Sequence, residues 1–189
     1  MLILVKHSLP EIDPGRNASE WRLSEAGRKR CTFLADALAA YRPDLIACSL
    51  EPKALQTAQI VAVRLDKPLE PFAGLHEHLR RNEQITGKEE FEANVAQFFR
   101  QPNSLVFGEE TADQAYRRFS QAVAGLTRRH AGQNLVVVAH GTVITLFVAH
   151  ACGMEPFPLW KRLDLPSFVV LALPELELIN VVDSVLPSP

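Results

Sequence analysis

The sequence predicts a three-layer α/β sandwich, in which a mainly parallel sheet lies between helices on both faces. Five short apolar runs have the length and the β-branched content of buried strands. Longer stretches with apolar residues at helical spacing alternate with these runs, and such alternation is typical of a parallel sheet covered by helices. The predicted strands are residues 2–5, 45–48, 135–139, 168–173 and 176–182.

Four helices are predicted from their starts and their apolar faces. The first begins after Ser24, a good N-cap residue, and stops at Pro43. The second opens at Pro52 and the third follows Thr111. Each has apolar or small side chains three or four residues apart, which marks the side that faces the sheet. The fourth, over residues 142–152, is apolar nearly all round and is therefore predicted to be buried.

Two further segments complete the prediction. Strand 176–182 follows strand 168–173 through Pro174 and Glu175, so this pair is predicted to be an antiparallel hairpin. Residues from about 76 to 110 are rich in phenylalanine and are predicted to be an insertion, or lid, over one edge of the sheet. We find no repeat and no flexible linker, so residues 1–189 are predicted to be a single domain.

Composition argues against several classes of function. The chain has 189 residues, 47% of them hydrophobic and 22% charged, which is typical of one globular domain. The formal charge is −2 and the basic runs at 28–30 and 80–81 are short, so neither nucleic acid nor a membrane is an expected partner. Lys6 and His7 interrupt the apolar start before it reaches the length of a signal peptide or a membrane span. The three widely separated cysteines favour no disulfide framework, and a reducing, cytoplasmic location is expected.

Three predicted strands end in polar residues, and in a parallel sheet those ends lie along one edge, where α/β sheets bind ligands. His7 follows the first of these strands, Ser49 the second and His140 the third. Lysine side chains and the N-terminus of a helix suit a phosphate dianion, and a neutral imidazole can attack phosphorus. The predicted phosphate-binding residues are Lys6, Lys53, Ser8, Ser49, Gly141 and Thr142.

Five segments of the chain occur in the order of the motifs of a known family. They are Val-Lys-His-Ser at 5–8, Trp-Arg-Leu-Ser-Glu-Ala-Gly at 21–27, Cys-Ser-Leu-Glu-Pro-Lys-Ala-Leu-Gln-Thr-Ala at 48–58, Gly-Leu-His-Glu at 74–77 and Val-Val-Val-Ala-His-Gly at 136–141. Over roughly residues 1–173, the sequence resembles the histidine phosphatase superfamily, the phosphoglycerate-mutase-like proteins.

The resemblance implies a phosphoglycerate-mutase-like fold and an enzyme that needs no metal or other cofactor. It implies that His7 is the nucleophile that becomes phosphorylated, and that His140 donates a hydrogen bond to the transferring phosphoryl group. Glu77 would protonate the leaving oxygen and later take a proton from the attacking water. From the residues alone, Glu51 and Glu83 are alternatives for this acid.

The chain departs from the usual family motifs at three positions. Lys6 and Lys53 stand where the family usually has arginine, and Ser8 stands where glycine usually follows the nucleophile. Lysine keeps the positive charge but lacks the rigid fork with which arginine orients two oxygens of a phosphate. The resemblance therefore leaves open how well the pocket orients a phosphate.

The leading functional prediction is a phosphomonoester hydrolase that forms a phosphohistidine and acts on a small phosphorylated metabolite. A phosphoglycerate-mutase-type phosphotransferase is the enzymatic alternative. The family's mutases follow the first motif with Gly-Glu-Thr and a nearby Asn, whereas Ser-Leu-Pro-Glu stands here at 8–11, which favours hydrolysis. A non-catalytic domain that binds a phosphate ligand is a third reading, and it follows from the loss of both arginines.

Overall fold

A mixed six-stranded sheet forms the middle layer of the fold in the computed structural model, which describes residues 1–80 and 87–186. The strands, in chain order, are β1 (Leu2–Lys6), β2 (Leu45–Cys48), β3 (Leu69–Pro71), β4 (Leu135–Ala139), β5 (Ser167–Ala172) and β6 (Glu177–Val182). Across the sheet their order is β3–β2–β4–β1–β5–β6.

Strand direction brings three strand ends to one edge. Strands β3, β2, β4 and β1 are parallel, and β5 and β6 extend the sheet with antiparallel pairings. The predicted hairpin of the last two strands is therefore confirmed. In the register of the sheet, Lys6 pairs with Ala139 and Cys48 pairs with Val138. Strands β1, β2 and β4 consequently end side by side, at the edge where the sequence places its candidate site residues.

Helices cover both faces of this sheet, as predicted. They are α1 (Glu25–Ala39), α2 (Pro52–Leu65), α3 (Lys88–Arg100), α4 (Ala112–Arg129), α5 (Gly141–Cys152) and α6 (Pro156–Arg162), with a 3₁₀ turn at Ala18–Glu20. Ile3 and Val5 of β1 pack with α1 and α2, whereas Leu2 and Leu4 pack with the other helices. Successive side chains of a strand point to opposite faces, so one strand serves both cores. None of the helices within residues 1–80 and 87–186 is long and apolar enough to cross a membrane.

The main elements match the sequence prediction, and three were missed. The starts predicted from Ser24, Pro52 and Thr111 are confirmed, and Ser24 and Thr111 both cap their helices with side-chain hydrogen bonds. Strand β3 was missed because it has three residues and lies at an edge of the sheet. Helices α3 and α6 were also missed: the first lies in the phenylalanine-rich segment, and the second has seven residues, two of them proline.

The segment predicted to be an insertion, about 76–110, contains α3. Val95, Phe98 and Phe99 of this helix are buried in the same core as α4 and α5. Residues 81–86, which include the alternative acid Glu83, lie outside the described residues. That the segment acts as a lid stays a prediction.

A close backbone contact fixes the chain that leaves β1. A Cβ atom on Gly27 of α1 would lie 2.0 Å from the carbonyl oxygen of Leu9, so only glycine allows this approach. The same region is tied by hydrogen bonds, because Ser24 donates from its backbone N–H to Leu9 O at 3.1 Å. Helix α1 thereby holds the residues that directly follow His7.

Candidate active site

His7, Ser49 and His140 are the first residues beyond β1, β2 and β4, and the structure brings all three together as predicted. The backbone N–H of His7 donates to Ala139 O at 3.1 Å, and that of Ser49 donates to Val138 O at 2.9 Å. These bonds extend the sheet ladder by one residue on each strand. The imidazole rings of His7 and His140 consequently lie 5.2 Å apart between centroids, with planes at 65°.

The surroundings of His7 select one protonation state. Its Nδ1 lies 2.7 Å from the backbone oxygen of Ser8, and since a carbonyl can only accept, Nδ1 carries the proton. Burial, the neighbouring His140 and the charge of Lys53 hold the pKa of His7 well below its usual value. His7 is therefore a neutral imidazole with its lone pair on Nε2, which is the form a nucleophile needs.

His140 is neutral for similar reasons and presents a proton toward the site. Burial and the charge of Lys53 hold the pKa of His140 well below its usual value, although Glu77 opposes this. Its Nε2 lies 2.9 Å from Ser49 Oγ, and its buried Nδ1 has no hydrogen-bond partner among residues 1–80 and 87–186. Glu51 Oε2 is 3.7 Å from that Nδ1, which favours the tautomer with the proton on Nδ1. His140 can thus donate to an oxyanion.

The carboxylate of Glu51 lies among the groups predicted to hold a phosphate. Its Oε2 is 2.6 Å from Lys53 Nζ, and both side chains are largely buried. Its Oε1 accepts a hydrogen bond of 2.9 Å from the backbone N–H of Glu77. Lys53 also donates to Ala18 O at 2.6 Å. A carboxylate therefore neutralises the cation that the sequence assigns to phosphate binding.

Glu77 sits on the N-terminus of α5 and is ionised. Its carboxylate accepts hydrogen bonds from the backbone N–H groups of His78 at 2.9 Å, Thr142 at 3.1 Å and Val143 at 3.3 Å. Burial would raise the pKa of Glu77, but the charge of Arg80, the proximity of His140 and the backbone hydrogen bonds lower it to about 2. The backbone N–H of Thr142, a residue predicted to bind phosphate, donates its hydrogen bond to this carboxylate.

An ion pair that sequence reasoning did not identify holds the Glu77 loop in place. Arg118 of α4 donates to the carbonyl oxygens of Gly74 and His76, both at 2.9 Å, and to that of Glu77 at 3.2 Å. Glu110 accepts from Arg118 at 2.6 Å. One guanidinium thus fixes three carbonyl groups of the loop that positions the candidate acid.

Lys6 and Ser8 are part of the site, but their polar groups have partners inside the protein. Lys6 Nζ donates to Leu163 O at 2.6 Å, and its chain runs so close to Gly141 that a Cβ there would lie 3.1 Å from Lys6 Cε. Burial lowers the pKa of Lys6, although Glu77 and Asp164 oppose this. The Ser8 hydroxyl donates to Gly27 O at 2.8 Å. Phosphate contacts by Lys6, Ser8 and Gly141 stay predictions.

A cleft of about 160 Å³ opens beside these residues. Its walls include Asn17, Ser19, Glu51, Lys53, Glu77 and Arg80. His7 is not one of its lining residues and is only 7% exposed. Arg80 is a further cation that the sequence showed only as part of a short basic run.

The profile of the histidine phosphatase superfamily (branch 1) matches residues 2–175, nearly the whole chain. The chain belongs to this superfamily. The resemblance seen in the motifs is thereby confirmed, and membership supports the prediction of an enzyme of this kind.

Solved structures of other phosphatases share the superfamily fold with this chain. A mutant phosphoserine phosphatase from Entamoeba histolytica, in complex with phosphoserine, has a TM-score of 0.76 at 19% identity, with 96% of this chain and 95% of that chain covered. The α-ribazole phosphatase from Shigella flexneri has a TM-score of 0.72 at 19% identity, with 97% and 96% covered. The mycobacterial glucosyl-3-phosphoglycerate phosphatase with VO3 has a TM-score of 0.77 at 19% identity, with 97% and 98% covered. No curated protein sequence matches this histidine phosphatase chain.

Because Glu77 is ionised in the folded protein, the free energy of unfolding should depend on its charge at acid pH. A carboxylate whose folded pKa is about 2 instead of 4.5 adds stability above pH 4.5 that is lost as the pH falls toward 2. The difference corresponds to about 3 kcal/mol. We expect Glu77→Gln to be less stable than the parent at pH 6 and to approach it at pH 3, in urea unfolding at each pH. Parallel stability curves for the two proteins would contradict the ionised, hydrogen-bonded Glu77.

Proposed function

We propose that this chain is a phosphomonoester hydrolase that passes the phosphoryl group of a small phosphorylated metabolite through His7. The observation that carries the proposal is the fixed tautomer of His7, whose Nδ1–H is bound to Ser8 O and whose Nε2 keeps its lone pair. His140 and the cation of Lys53 lie beside it. Nucleophile, hydrogen-bond donor and positive charge meet at one sheet edge.

In the first step, the Nε2 lone pair of His7 attacks phosphorus and the P–O ester bond breaks. The bond electrons leave with the ester oxygen, which takes a proton from Glu77. His140 donates from Nδ1 to a phosphoryl oxygen, and Lys53 offsets the phosphoryl charge. Because the Nδ1–H of His7 is held by Ser8 O, the ring is stabilised as the positive charge of the phosphorylated imidazole develops.

The proton for this step enters with the substrate. Glu77 has a pKa of about 2 without ligand, so it holds no proton at neutral pH. A phosphate monoester whose second pKa is about 6 can bind as a monoanion and pass its proton to Glu77. The dianion that remains then raises the pKa of the nearby Glu77 by like-charge repulsion. Glu77 can therefore act as the acid once it has received this proton, although it is ionised before substrate binds.

In the second step, water attacks the phosphorus of the phosphohistidine. Glu77, now a carboxylate, takes a proton from that water. The P–N bond breaks, and its electrons return to Nε2 of His7. Inorganic phosphate takes the proton from Glu77 and is released as its monoanion, so each group then has its starting protonation state. No metal is required in either step.

Substrate binding displaces the Glu51 carboxylate. This carboxylate already uses Lys53 Nζ and lies near His140 Nδ1, the two groups that a phosphoryl oxygen needs. Two anions cannot share them at low cost, because like charges in a buried site repel strongly. Glu51 thus stabilises the empty pocket and is exchanged for phosphate when substrate enters.

Hydrolysis is favoured over mutase-type transfer by the segment after the nucleophile. Residues 8–11 lack the family mutases' Gly-Glu-Thr, and the Ser8 side chain is turned to Gly27 O.

The described cysteines are free, which accords with a reducing, cytoplasmic location.

His7→Ala tests the proposed reaction, because it removes the nucleophile and leaves the sheet ladder intact. We expect hydrolysis of 4-nitrophenyl phosphate to fall at least about a thousandfold in steady-state assays, with the parent far-UV spectrum retained. A variant with parental turnover would refute the mechanism. Parent protein that binds tungstate but never hydrolyses an ester would instead favour the non-catalytic binding domain.

Glu51→Gln tests the exchange of carboxylate for phosphate. Removing the charge should tighten tungstate binding by about tenfold, measured by calorimetry, since the oxyanion no longer competes with a buried anion. Glu20→Gln, an exposed carboxylate on the nearby 3₁₀ turn, is the matched control and should bind like the parent. Weaker binding in Glu51→Gln would show that Glu51 positions Lys53 and does not compete.

A further inference from the structure

The guanidinium of Arg80 lines the cleft, and no acidic side chain of the described residues forms an ion pair with it. Its Nη1 is buried and has no hydrogen-bond partner. Within residues 1–80 and 87–186, its recorded contact is with the ring of Phe91, whose centroid lies 4.9 Å from Arg80 Cζ. A buried guanidinium N–H without a partner is costly, because arginine stays charged at any physiological pH. The group is therefore poised for an anion that residues 1–80 and 87–186 do not supply.

The contact with Phe91 helps to hold the guanidinium of Arg80 in place. Phe91 belongs to α3 and also packs against Phe107 and against Trp160 of α6. An arginine stacked on an aromatic ring loses little further freedom when it forms hydrogen bonds, which makes it a good receptor for a planar oxyanion. The stack thus prepares one edge of the cleft for an anionic ligand.

The partners of the other charged groups in the cleft also indicate that Arg80 is available to bind an anion. Lys53 is paired with Glu51, and Glu77 accepts from three backbone N–H groups, two of them at the start of α5. Arg80 lies close enough to Glu77 to influence its ionisation, yet the two form no ion pair. Lys53 thus has an acidic partner in the cleft, whereas Arg80 has no acidic partner at contact distance among the described residues.

We propose that Arg80 binds an oxyanion on the leaving alcohol of the substrate, so that the preferred esters carry a carboxylate or a second phosphate. The position of Arg80 supports this assignment over a contact with the transferring phosphoryl group. Arg80 adjoins Glu77, which meets the leaving oxygen, and it lines the open cleft, whereas His7 lies outside that lining. The inference rests on the proposed hydrolase function and specifies the class of its substrates.

A three-carbon series of esters tests this inference. Glycerol 3-phosphate, 3-phosphoglycerate and glycerol 1,3-bisphosphate end in a hydroxyl, a carboxylate and a phosphate. We expect kcat/KM of the parent to be about 10- to 100-fold higher for an anionic end than for the hydroxyl, the range of a charge-assisted contact. A carboxylate preference without a phosphate preference, or the reverse, identifies which oxyanion Arg80 accepts.

The decisive variant is Arg80→Gln, and its readout is the ratio of kcat/KM between anionic and neutral esters. The ratio should fall to about 1, with partial recovery in Arg80→Lys. Any effect of Arg80 on Glu77 changes all three esters alike and cancels in this ratio. Arg128→Gln, an exposed arginine of α4, is the matched control and should keep the parent ratio. An unchanged ratio in Arg80→Gln, or an equal loss for every ester, would overturn the inference.

Binding separates failure of this inference from failure of the hydrolase proposal. In a His7→Ala background, calorimetry with 3-phosphoglycerate and glycerol 3-phosphate measures the same preference without turnover. If the parent hydrolyses no ester but this preference exists and disappears with Arg80→Gln, the anion site stands and the hydrolase proposal fails. If esters are hydrolysed but no preference exists, the anion site is refuted and the hydrolase proposal stands.

Discussion

The aligned ends of three parallel strands are the constraint on which the site depends. His7 and Ser49 are each joined to β4 by one backbone hydrogen bond beyond the last paired residue of their own strand, and His140 directly follows β4. Their positions are thus set by the sheet, whose strands β1, β2 and β4 are buried on both faces, and not by flexible loops. Two imidazoles can consequently be held 5.2 Å apart by the backbone ladder. Chemistry that needs sub-ångström positioning is well served by such a scaffold.

Buried charges at the site have internal partners when no ligand is bound. Lys53 is neutralised by Glu51, and Glu77 is neutralised by the N-terminus of α5. Both arrangements use groups that the sequence assigned to phosphate, namely a lysine and the amide of Thr142. Under the proposed function, phosphate binding is therefore an exchange of anions with these internal partners. Arg80 differs, since its buried N–H has no hydrogen-bond partner in the described part of the chain.

Much of this could be predicted from the sequence, and the failures have physical causes. Strands β1, β2 and β4 are short apolar runs buried on both faces, so the sequence pattern identifies them, and the shared edge of a parallel sheet then places His7, Ser49 and His140 together. Strand β3 and helix α6 are too short to show a period. The partner of a side chain depends on distances in the folded protein, which the sequence does not contain. The ion pair between Glu51 and Lys53 and the hydrogen bond from Ser8 to Gly27 O could therefore not be predicted. Arg80 and Arg118 were missed because neither belongs to a recognised motif, and only the fold brings them to the site.

The most direct test of this account is to trap the phosphorylated protein during turnover. Parent protein mixed with an aryl phosphate should be quenched in alkali, where a phosphorus–nitrogen bond persists, and analysed by ³¹P NMR and by peptide mass spectrometry. The account predicts one phosphoryl group on Nε2 of His7, because Nδ1 of that ring is committed to the carbonyl oxygen of Ser8. Turnover without any phosphorylated protein, or phosphate on Nδ1 or on His140, would contradict it.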